Sequence, residues 1–172
     1  MRNLLLFIAF VFSTMIYAQP WLKKEHIGKQ YPEFAVTTLN GREITHEQLK
    51  GKITLLNFWF STCSPCIAEM DALEDIYNEY KDNPDFEVLS FSKDPIDITK
   101  ESVEKYNIPY TVSSISDKES RRLNLNGGYP TTIITDREGK IIYCKRGGGT
   151  TKEMNFKLLE PAKQLIKESL AK

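Results

Sequence analysis

A long, largely apolar run from Lys52 to Phe60 constrains the fold of this chain more than any other feature. A strand with one face in water alternates polar and apolar residues. This run does not, so it predicts a central strand covered on both faces. Cys63 and Cys66 follow shortly after it, and from there apolar residues recur every three or four positions. This change of period predicts an amphipathic helix from about Ser64 to Tyr80, so a buried strand feeds into a helix at the two cysteines.

The rest of the chain predicts further strands and helices in alternation. Asn40-Gly41 accepts positive φ angles and predicts a hairpin turn. Thr150 and Glu153 have the spacing of a capping box ahead of a last helix. No repeat or long linker interrupts residues 27 to 172, so we predict one α/β domain in which helices cover a sheet. The expected strands are Glu33 to Thr38, Arg42 to Thr45, Phe86 to Phe91, Thr131 to Thr135 and Lys140 to Lys145, and the expected helices are Ile98 to Tyr106, Asp117 to Leu123 and Thr151 to Leu170.

Residues 1 to 18 have the pattern of a secretory signal peptide. Arg2 supplies a positive charge, an apolar run extends from Leu4 to Ile16, and Ala18 ends a pattern that a signal peptidase could cut. The apolar run is shorter than the roughly 20 residues that span a bilayer, so an uncleaved membrane anchor is the alternative. We expect an exported, periplasmic protein with a short leader from Gln19 to His26 ahead of the domain.

The mature chain would carry almost no net charge. Of the 23 basic side chains only Arg2 lies in the signal segment, so 22 basic and 23 acidic side chains remain, for a net charge of −1. Such a balance gives no electrostatic footprint for nucleic acid. Export would place the cysteines in an oxidising compartment. Three cysteines are too few to staple a fold, so its stability has to come from the core.

Cys63 is predicted at the start of a helix, where backbone N–H groups lack intrahelical partners and favour an anionic sulfur. Cysteines of CxxC motifs at such positions have pKa values lowered from about 8.5 into roughly the 3.5 to 7.5 range, and the thiolate is the nucleophile. Pro65 suits the first turn of a helix, because it sacrifices no hydrogen bond there. The spacing also fits a structural disulfide. A metal site is another alternative, although Cys144, His26 and His46 do not form a second ligand pair.

Several short motifs follow one another in an order typical of one family. They are Ile27-Gly28-Lys29, Pro32 with Phe34, Gly41, Leu49-Lys50-Gly51-Lys52, Asn57-Phe58-Trp59, Cys63-Ser64-Pro65-Cys66, Glu69, Gly128-Tyr129-Pro130-Thr131-Thr132 and Gly139-Lys140-Ile141. On these motifs the chain resembles the bacterial TlpA/ResA-like thiol-disulfide oxidoreductases of the thioredoxin superfamily, from Ile27 to about Gly149. The resemblance implies a thioredoxin fold, with a central mixed β-sheet flanked by helices, an N-terminal β-hairpin and a helical insertion before a cis-proline loop.

The resemblance also implies roles for individual residues. Cys63 matches the exposed cysteine that attacks a client disulfide, and Cys66 matches the buried cysteine that resolves the mixed disulfide. Pro130 matches the cis-proline whose loop meets the substrate chain, with Tyr129 directly before it. A glutamate at the position of Glu69 assists proton transfer to or from the cysteines in this family. Without the resemblance, a helical glutamate is most often a solvated charge.

These roles describe thiol-disulfide exchange with a redox-active Cys63–Cys66 disulfide and no other cofactor. The implied partners are client proteins with disulfides or dithiols, and a membrane thiol-disulfide reductase as electron donor. Reduction of client disulfides is favoured over their formation, and cytochrome c maturation is one process that needs it. A thiol peroxidase is an alternative, but it needs a threonine and a proline at set spacings ahead of the reactive cysteine, and the segment from Asn57 to Thr62, including Phe60, supplies neither at those spacings. A non-catalytic copper-binding or client-binding module is the other alternative. Cys144 is expected to be a small core residue.

Overall fold

The computed structural model describes residues 24 to 172. The expected signal segment, residues 1 to 18, and the leader up to residue 23 lie outside the described residues. Across residues 24 to 172, none of the helices combines the length and the apolar character that a membrane crossing requires. The strands are β1 (Ala35–Thr37), β2 (Glu43–Thr45), β3 (Ile53–Trp59), β4 (Phe86–Ser92), β5 (Thr111–Ser114), β6 (Thr131–Thr135) and β7 (Ile141–Arg146), and the α-helices are α1 (Ser64–Tyr80), α2 (Ile96–Lys105), α3 (Asp117–Leu123) and α4 (Lys152–Leu170).

Five of these strands form one mixed sheet in the order β5-β4-β3-β6-β7. Strands β3, β4 and β5 run parallel, whereas β6 lies antiparallel to both β3 and β7. A parallel pair needs a crossover, and α1 supplies it between β3 and β4. Strands β1 and β2 form a separate antiparallel hairpin, and its turn contains Gly41 at a φ of 84°, a value that glycine adopts without strain.

Strand β3 is covered on both faces, as its sequence predicts, and all seven of its residues are buried. Ile53, Leu55 and Trp59 pack into a core with α1 and α4. Leu56 and Phe58 pack into a second core, on the side of the β1–β2 hairpin and α3. Helices and a hairpin thus enclose the sheet, and its central strand carries the chain to the two cysteines.

The predicted elements agree with the observed ones to within two residues at each end, with two differences. Strand β5 was not predicted, because Thr111–Ser114 is short and has one apolar residue, Val112; pairing with β4 makes it a strand. The predicted capping box is wrong. Thr151, not Thr150, caps α4, and its hydroxyl accepts a hydrogen bond from the Met154 N–H at 3.3 Å, because the chain enters the helix one residue later.

Strand β7 contains a bulge that decides which face its side chains occupy. Ile134 pairs with Tyr143, whereas the next residue of β6 pairs with Ile141, so Ile142 is an extra residue. The bulge turns Tyr143 toward the core of α1 and α4, while Cys144 is fully buried in the core on the hairpin side. The prediction that Cys144 is a small core residue is confirmed.

Candidate active site

The candidate active site begins where β3 passes into α1. Cys63 is the N-cap of α1, and its carbonyl oxygen accepts hydrogen bonds from the N–H groups of Cys66 and Ile67 at 2.9 and 3.0 Å. Pro65 lies in the first turn, where its missing N–H has no intrahelical partner to lose. Cys63 and Cys66 form a disulfide with their Cα atoms 5.2 Å apart. The CxxC spacing on one helical turn therefore places both sulfurs at the positive end of α1.

The two cysteines differ in their access to solvent. In the disulfide form Cys63 is 6% exposed and Cys66 is 2% exposed. Cys63 is thus less open than the resemblance implies, although the order between the two cysteines is the implied one.

An aromatic cluster lies on the loop that faces the disulfide turn. The Tyr129–Pro130 peptide bond is cis, as the resemblance implies. The Tyr129 ring packs edge to face against Phe60 at 5.2 Å, and its hydroxyl shares a hydrogen bond of 2.8 Å with the Ser120 hydroxyl. The Lys93 ammonium lies 4.4 Å from the Phe60 ring centroid and 5.0 Å from that of Tyr129. These contacts hold Tyr129 next to the segment that leads to Cys63.

Gly148 joins the cis-proline loop to the first turn of α1. A methyl group at its Cα would lie 2.9 Å from Cγ of Pro130, 3.2 Å from the Pro65 carbonyl oxygen and 3.2 Å from Oε2 of Glu69. The neighbouring Gly147 N–H donates to the Pro130 carbonyl at 2.8 Å. A side chain at position 148 would have no room. The absence of one allows the three-glycine segment after β7 to pack against the site.

An open groove of about 520 Å³ is lined by Thr62 and Ser64, the chain neighbours of Cys63, among others. Hydroxyl groups, which can both donate and accept hydrogen bonds, line much of it. Its lining residues are Ser61, Thr62, Ser64, Ile67, Ala68, Tyr106, Thr150, Thr151 and Lys152.

Glu69 is fully buried beneath the disulfide turn, one helical turn after Cys66. Its Oε1 accepts a hydrogen bond of 2.6 Å from the Thr132 hydroxyl and a longer one of 3.4 Å from the Asn57 amide. Its Oε2 accepts a hydrogen bond of 2.6 Å from the Lys145 ammonium, which is itself fully buried. The expectation of a solvated helix charge is therefore wrong for Glu69, because the sheet supplies donors to both of its oxygens.

The donors to Glu69 come from one row of residues across the sheet. Asn57 on β3 pairs with Ser90 on β4 and Thr132 on β6, and Thr132 pairs with Lys145 on β7. Directly paired residues project from the same face. The row is therefore a buried polar stripe under α1, with Glu69 above it. Sequence reasoning did not find Lys145, and the one signal was a polar residue, Asn57, inside an otherwise apolar strand.

Two tyrosines extend the surroundings of Glu69. Burial raises the pKa of Tyr110, and the nearby charge of Glu69 raises it further. Burial and then Glu69 also raise the pKa of Tyr143. Neither phenol ionises near neutral pH. Among residues 24 to 172, no group of three or more His, Cys, Asp or Glu side chains is placed to hold a metal ion.

The fold and the site together define a thiol-disulfide oxidoreductase of the thioredoxin fold. The features that define this class are the mixed sheet, the hairpin, the CxxC disulfide at the start of a helix and the cis-proline loop. Comparison with known proteins agrees. The protein chain is 33% identical over 135 residues to the thiol-disulfide oxidoreductase ResA of Bacillus thuringiensis subsp. konkukian, which covers 77% of this chain and 76% of ResA. It is 35% identical over 146 residues to the thioredoxin-like protein YneN of Bacillus subtilis, which covers 81% of this chain and 85% of YneN.

A solved structure agrees with the fold. A protein of Bacteroides thetaiotaomicron, provisionally assigned as a protein disulfide isomerase, superposes with a TM-score of 0.72 at 29% identity, over 85% of this chain and 91% of that one. The model of the AhpC/TSA family matches residues 27–144. The chain belongs to the AhpC/TSA family, and its redox centre is the Cys63–Cys66 disulfide.

Proposed function

We propose that this protein is an exported reductase of client protein disulfides, with Cys63 as the attacking and Cys66 as the resolving cysteine. The observation that carries the assignment is the position of the two sulfurs on α1. Cys63 caps the helix and is the more exposed, whereas Cys66 lies deeper, on the side of buried Glu69. The helix N-terminus favours the Cys63 thiolate, and a thiolate is the form that attacks a disulfide.

The reaction takes place in two exchanges. The Cys63 thiolate attacks one client sulfur, a mixed disulfide forms, and the other client sulfur leaves as a thiolate. Cys66 then loses its proton, with Glu69 as the acceptor, and attacks Cys63. The Cys63–Cys66 bond forms, and the first client sulfur leaves as a thiolate. Two electrons pass from the protein dithiol to the client, and the protein ends as the disulfide described here.

The client would contact the Tyr129–Pro130 loop and the hydroxyl-lined groove beside Cys63. The Phe60 and Tyr129 rings offer apolar surface to the side chains that flank a client cysteine. The groove hydroxyls suit the backbone of an extended segment, because they both donate and accept hydrogen bonds.

Reduction of clients requires that the protein be reduced again after each turnover. The signal-like segment, residues 1 to 18, supports export to the periplasm, with anchoring through an uncleaved segment as the alternative. Electrons would then have to cross the membrane, and a membrane thiol-disulfide reductase is the class of donor that supplies them. Clients of the cytochrome c maturation kind, whose cysteines must be kept reduced in an oxidising compartment, fit this direction.

A cysteine trap tests the assignment. The Cys66→Ala variant of the full chain keeps the attacking sulfur but cannot resolve, so it should accumulate a mixed disulfide on Cys63, seen by mass spectrometry of the linked peptides. Cys63→Ala is the matched control and should stay unlinked. Cys144 is buried and present in both variants, so it does not distinguish them. Capture by Cys63→Ala and not by Cys66→Ala would reverse the two roles.

A further inference from the structure

Lys145 is a buried lysine under the disulfide turn, and it has no part in the two exchanges of the proposed reaction. Its ammonium lies 2.6 Å from Oε2 of Glu69 and 2.7 Å from the carbonyl oxygen of Gly147, and its side chain has no exposed surface. Removing an ammonium from water is energetically costly, and an apolar residue of similar size could fill the space between β7 and α1. Packing alone therefore does not explain why a lysine occupies position 145.

The position of Lys145 is set by two separate elements. The β7 bulge and the pairing with Thr132 bring its stem under α1. The Gly147 carbonyl fixes the ammonium from the loop that also packs against Pro130 and Pro65. Glu69 is held by Thr132 through its other oxygen. The carboxylate consequently has one charged donor at Oε2 and two neutral donors, Thr132 and Asn57, at Oε1, so both of its oxygens are oriented.

We propose that Lys145 is a positioning residue for the resolving step, and that its ammonium holds the Glu69 carboxylate in place and balances its charge, so that the carboxylate can accept the thiol proton of Cys66. This inference rests on the proposed role of Glu69. Before the transfer the three groups are a neutral thiol, a carboxylate and an ammonium. After it they are a thiolate, a neutral carboxylic acid and an ammonium. The net charge of the buried site is zero in both states.

Charge neutrality matters here because the site is closed to water. Without the ammonium, the buried site would hold one uncompensated negative charge both before and after the transfer, which is unfavourable away from water. With it, the proton moves between two groups inside the site. The thiolate of Cys66 attacks Cys63, the client sulfur departs as a thiolate, and the proton then leaves Glu69 and balances that charge.

The other titratable groups around Glu69 do not replace Lys145. Tyr143 on β7 and Tyr110 ahead of β5 face it, and burial followed by the Glu69 charge raises the pKa of both phenols. Both are neutral near pH 7 and cannot supply a positive charge. Cys66 on α1 is the proton donor itself. Lys145 is the cation that the described contacts place on the carboxylate.

The test separates attack from resolution in one experiment. The reduced full-length protein is mixed with 5,5′-dithiobis(2-nitrobenzoate), and release of the coloured thiolate is followed in a stopped-flow instrument between pH 5 and 9. Attack by Cys63 releases the first equivalent, and resolution by Cys66 releases the second. Lys145→Met should slow the second phase about 10- to 100-fold at pH 7 and move its pH dependence to higher pH. The first phase should change less than about twofold, because attack by Cys63 does not use Glu69.

Three further variants make the outcome specific. Lys140→Met removes an exposed lysine directly before the same strand and should leave both phases unchanged. Lys145→Arg keeps a positive charge, so the pH dependence of its second phase should match that of the native protein and not that of Lys145→Met. Glu69→Gln should slow the second phase as Lys145→Met does, and the double variant should be no slower than either single one. If Lys145→Met does not fold, Lys145→Gln replaces it with the same expected result.

The outcomes distinguish this inference from the proposed function. A slow second phase in Glu69→Gln with a normal one in Lys145→Met would mean that Lys145 is structural only, and the inference would be overturned. A normal second phase in both variants would overturn the role of Glu69 itself. A slow second phase with unchanged pH dependence in Lys145→Met would also count against the inference, because a loosened structure would slow the second phase equally at every pH.

Discussion

At the scale of single residues, the site depends on close approach as much as on reactive groups. Gly148 has no side chain, so the loop after β7 can lie against Pro130, Pro65 and Glu69 together. The N–H of its neighbour Gly147 donates a hydrogen bond to the Pro130 carbonyl oxygen. One absent methyl group thus allows the cis-proline loop, the disulfide turn and the buried carboxylate to meet.

Gly148→Ala should destabilise the protein by about 1 to 3 kcal/mol, because an added carbon 2.9 Å from the Pro130 ring forces the loop or the ring to move. Urea unfolding of the disulfide form measures the change. The matched control is Thr150→Ala, an exposed position in the same loop, which should change the free energy of unfolding by less than about 0.5 kcal/mol. Equal stability of Gly148→Ala and the native protein would show that the loop has room to spare.

At the scale of elements, charged pairs join α1 to α4 along the side away from the sheet. Lys163 on α4 lies 2.6 Å from Asp75 and 2.7 Å from Glu79, and Lys152 forms an ion pair with Asp71. The three acidic residues follow one another at intervals of four on α1, so they lie along one stripe. The helix that carries the cysteines is therefore tied to the last helix of the chain.

The pH dependence of this tie follows from Glu79. A hydrogen bond from Lys163 lowers the pKa of Glu79 below its ordinary value of 4.5, with a smaller contribution from Tyr80. Because the folded-state pKa is the lower one, the contribution is present above about pH 4.5 and is lost as the pH falls through the folded-state value. Lys163→Met should therefore cost less than about 1 kcal/mol at pH 7, since both side chains are partly exposed, and progressively less as the pH falls below about 4.5.

Denaturant unfolding of Lys163→Met and the native protein at pH 7 and at low pH checks this expectation. Lys157→Met, on the exposed face of the same helix, is the control for loss of a lysine. The difference should also shrink at 1 M salt, which screens exposed pairs at roughly 3 Å. A cost that is the same at both pH values would exclude the ion pair as its cause.

At the scale of the whole molecule, the proposed direction of electron flow has a consequence for stability. A reductase has a low reduction potential, so its folded state favours the disulfide over the dithiol. Each 30 mV below the potential of the unfolded pair corresponds to about 1.4 kcal/mol of extra stability for the disulfide form. The loop between Cys63 and Cys66 is short, so constraint of the unfolded chain adds little to the difference.

The disulfide form should therefore unfold at a higher urea concentration than the reduced form. Parallel titrations of both forms at pH 7 give the two free energies of unfolding, and redox equilibration with glutathione gives the potential independently. The Cys63→Ala/Cys66→Ala variant, which has no disulfide to lose, should unfold alike under both conditions. A reduced form that is the more stable would identify the protein as an oxidant of client dithiols and overturn the proposed direction.

The sequence determined the elements and the position of the redox centre, because both depend on local patterns. An apolar run in β3 needs cover on both faces, and the CxxC spacing at the start of α1 holds two sulfurs on one helical turn. The cis-proline loop was predicted as well, but through the family resemblance and not from the spacing of residues. Local pattern did not predict β5, whose formation depends on an edge offered by β4.

The tertiary structure alone decided what surrounds Glu69. Lys145 is an ordinary strand lysine in the sequence, and it becomes a buried partner because the bulge at Ile142 turns it toward α1 and the pairing across three strands aligns it with Asn57 and Thr132. Residues so far apart in the chain carry no local signal of their meeting. A buried carboxylate needs donors from every side, and only the assembled sheet and helix supply them.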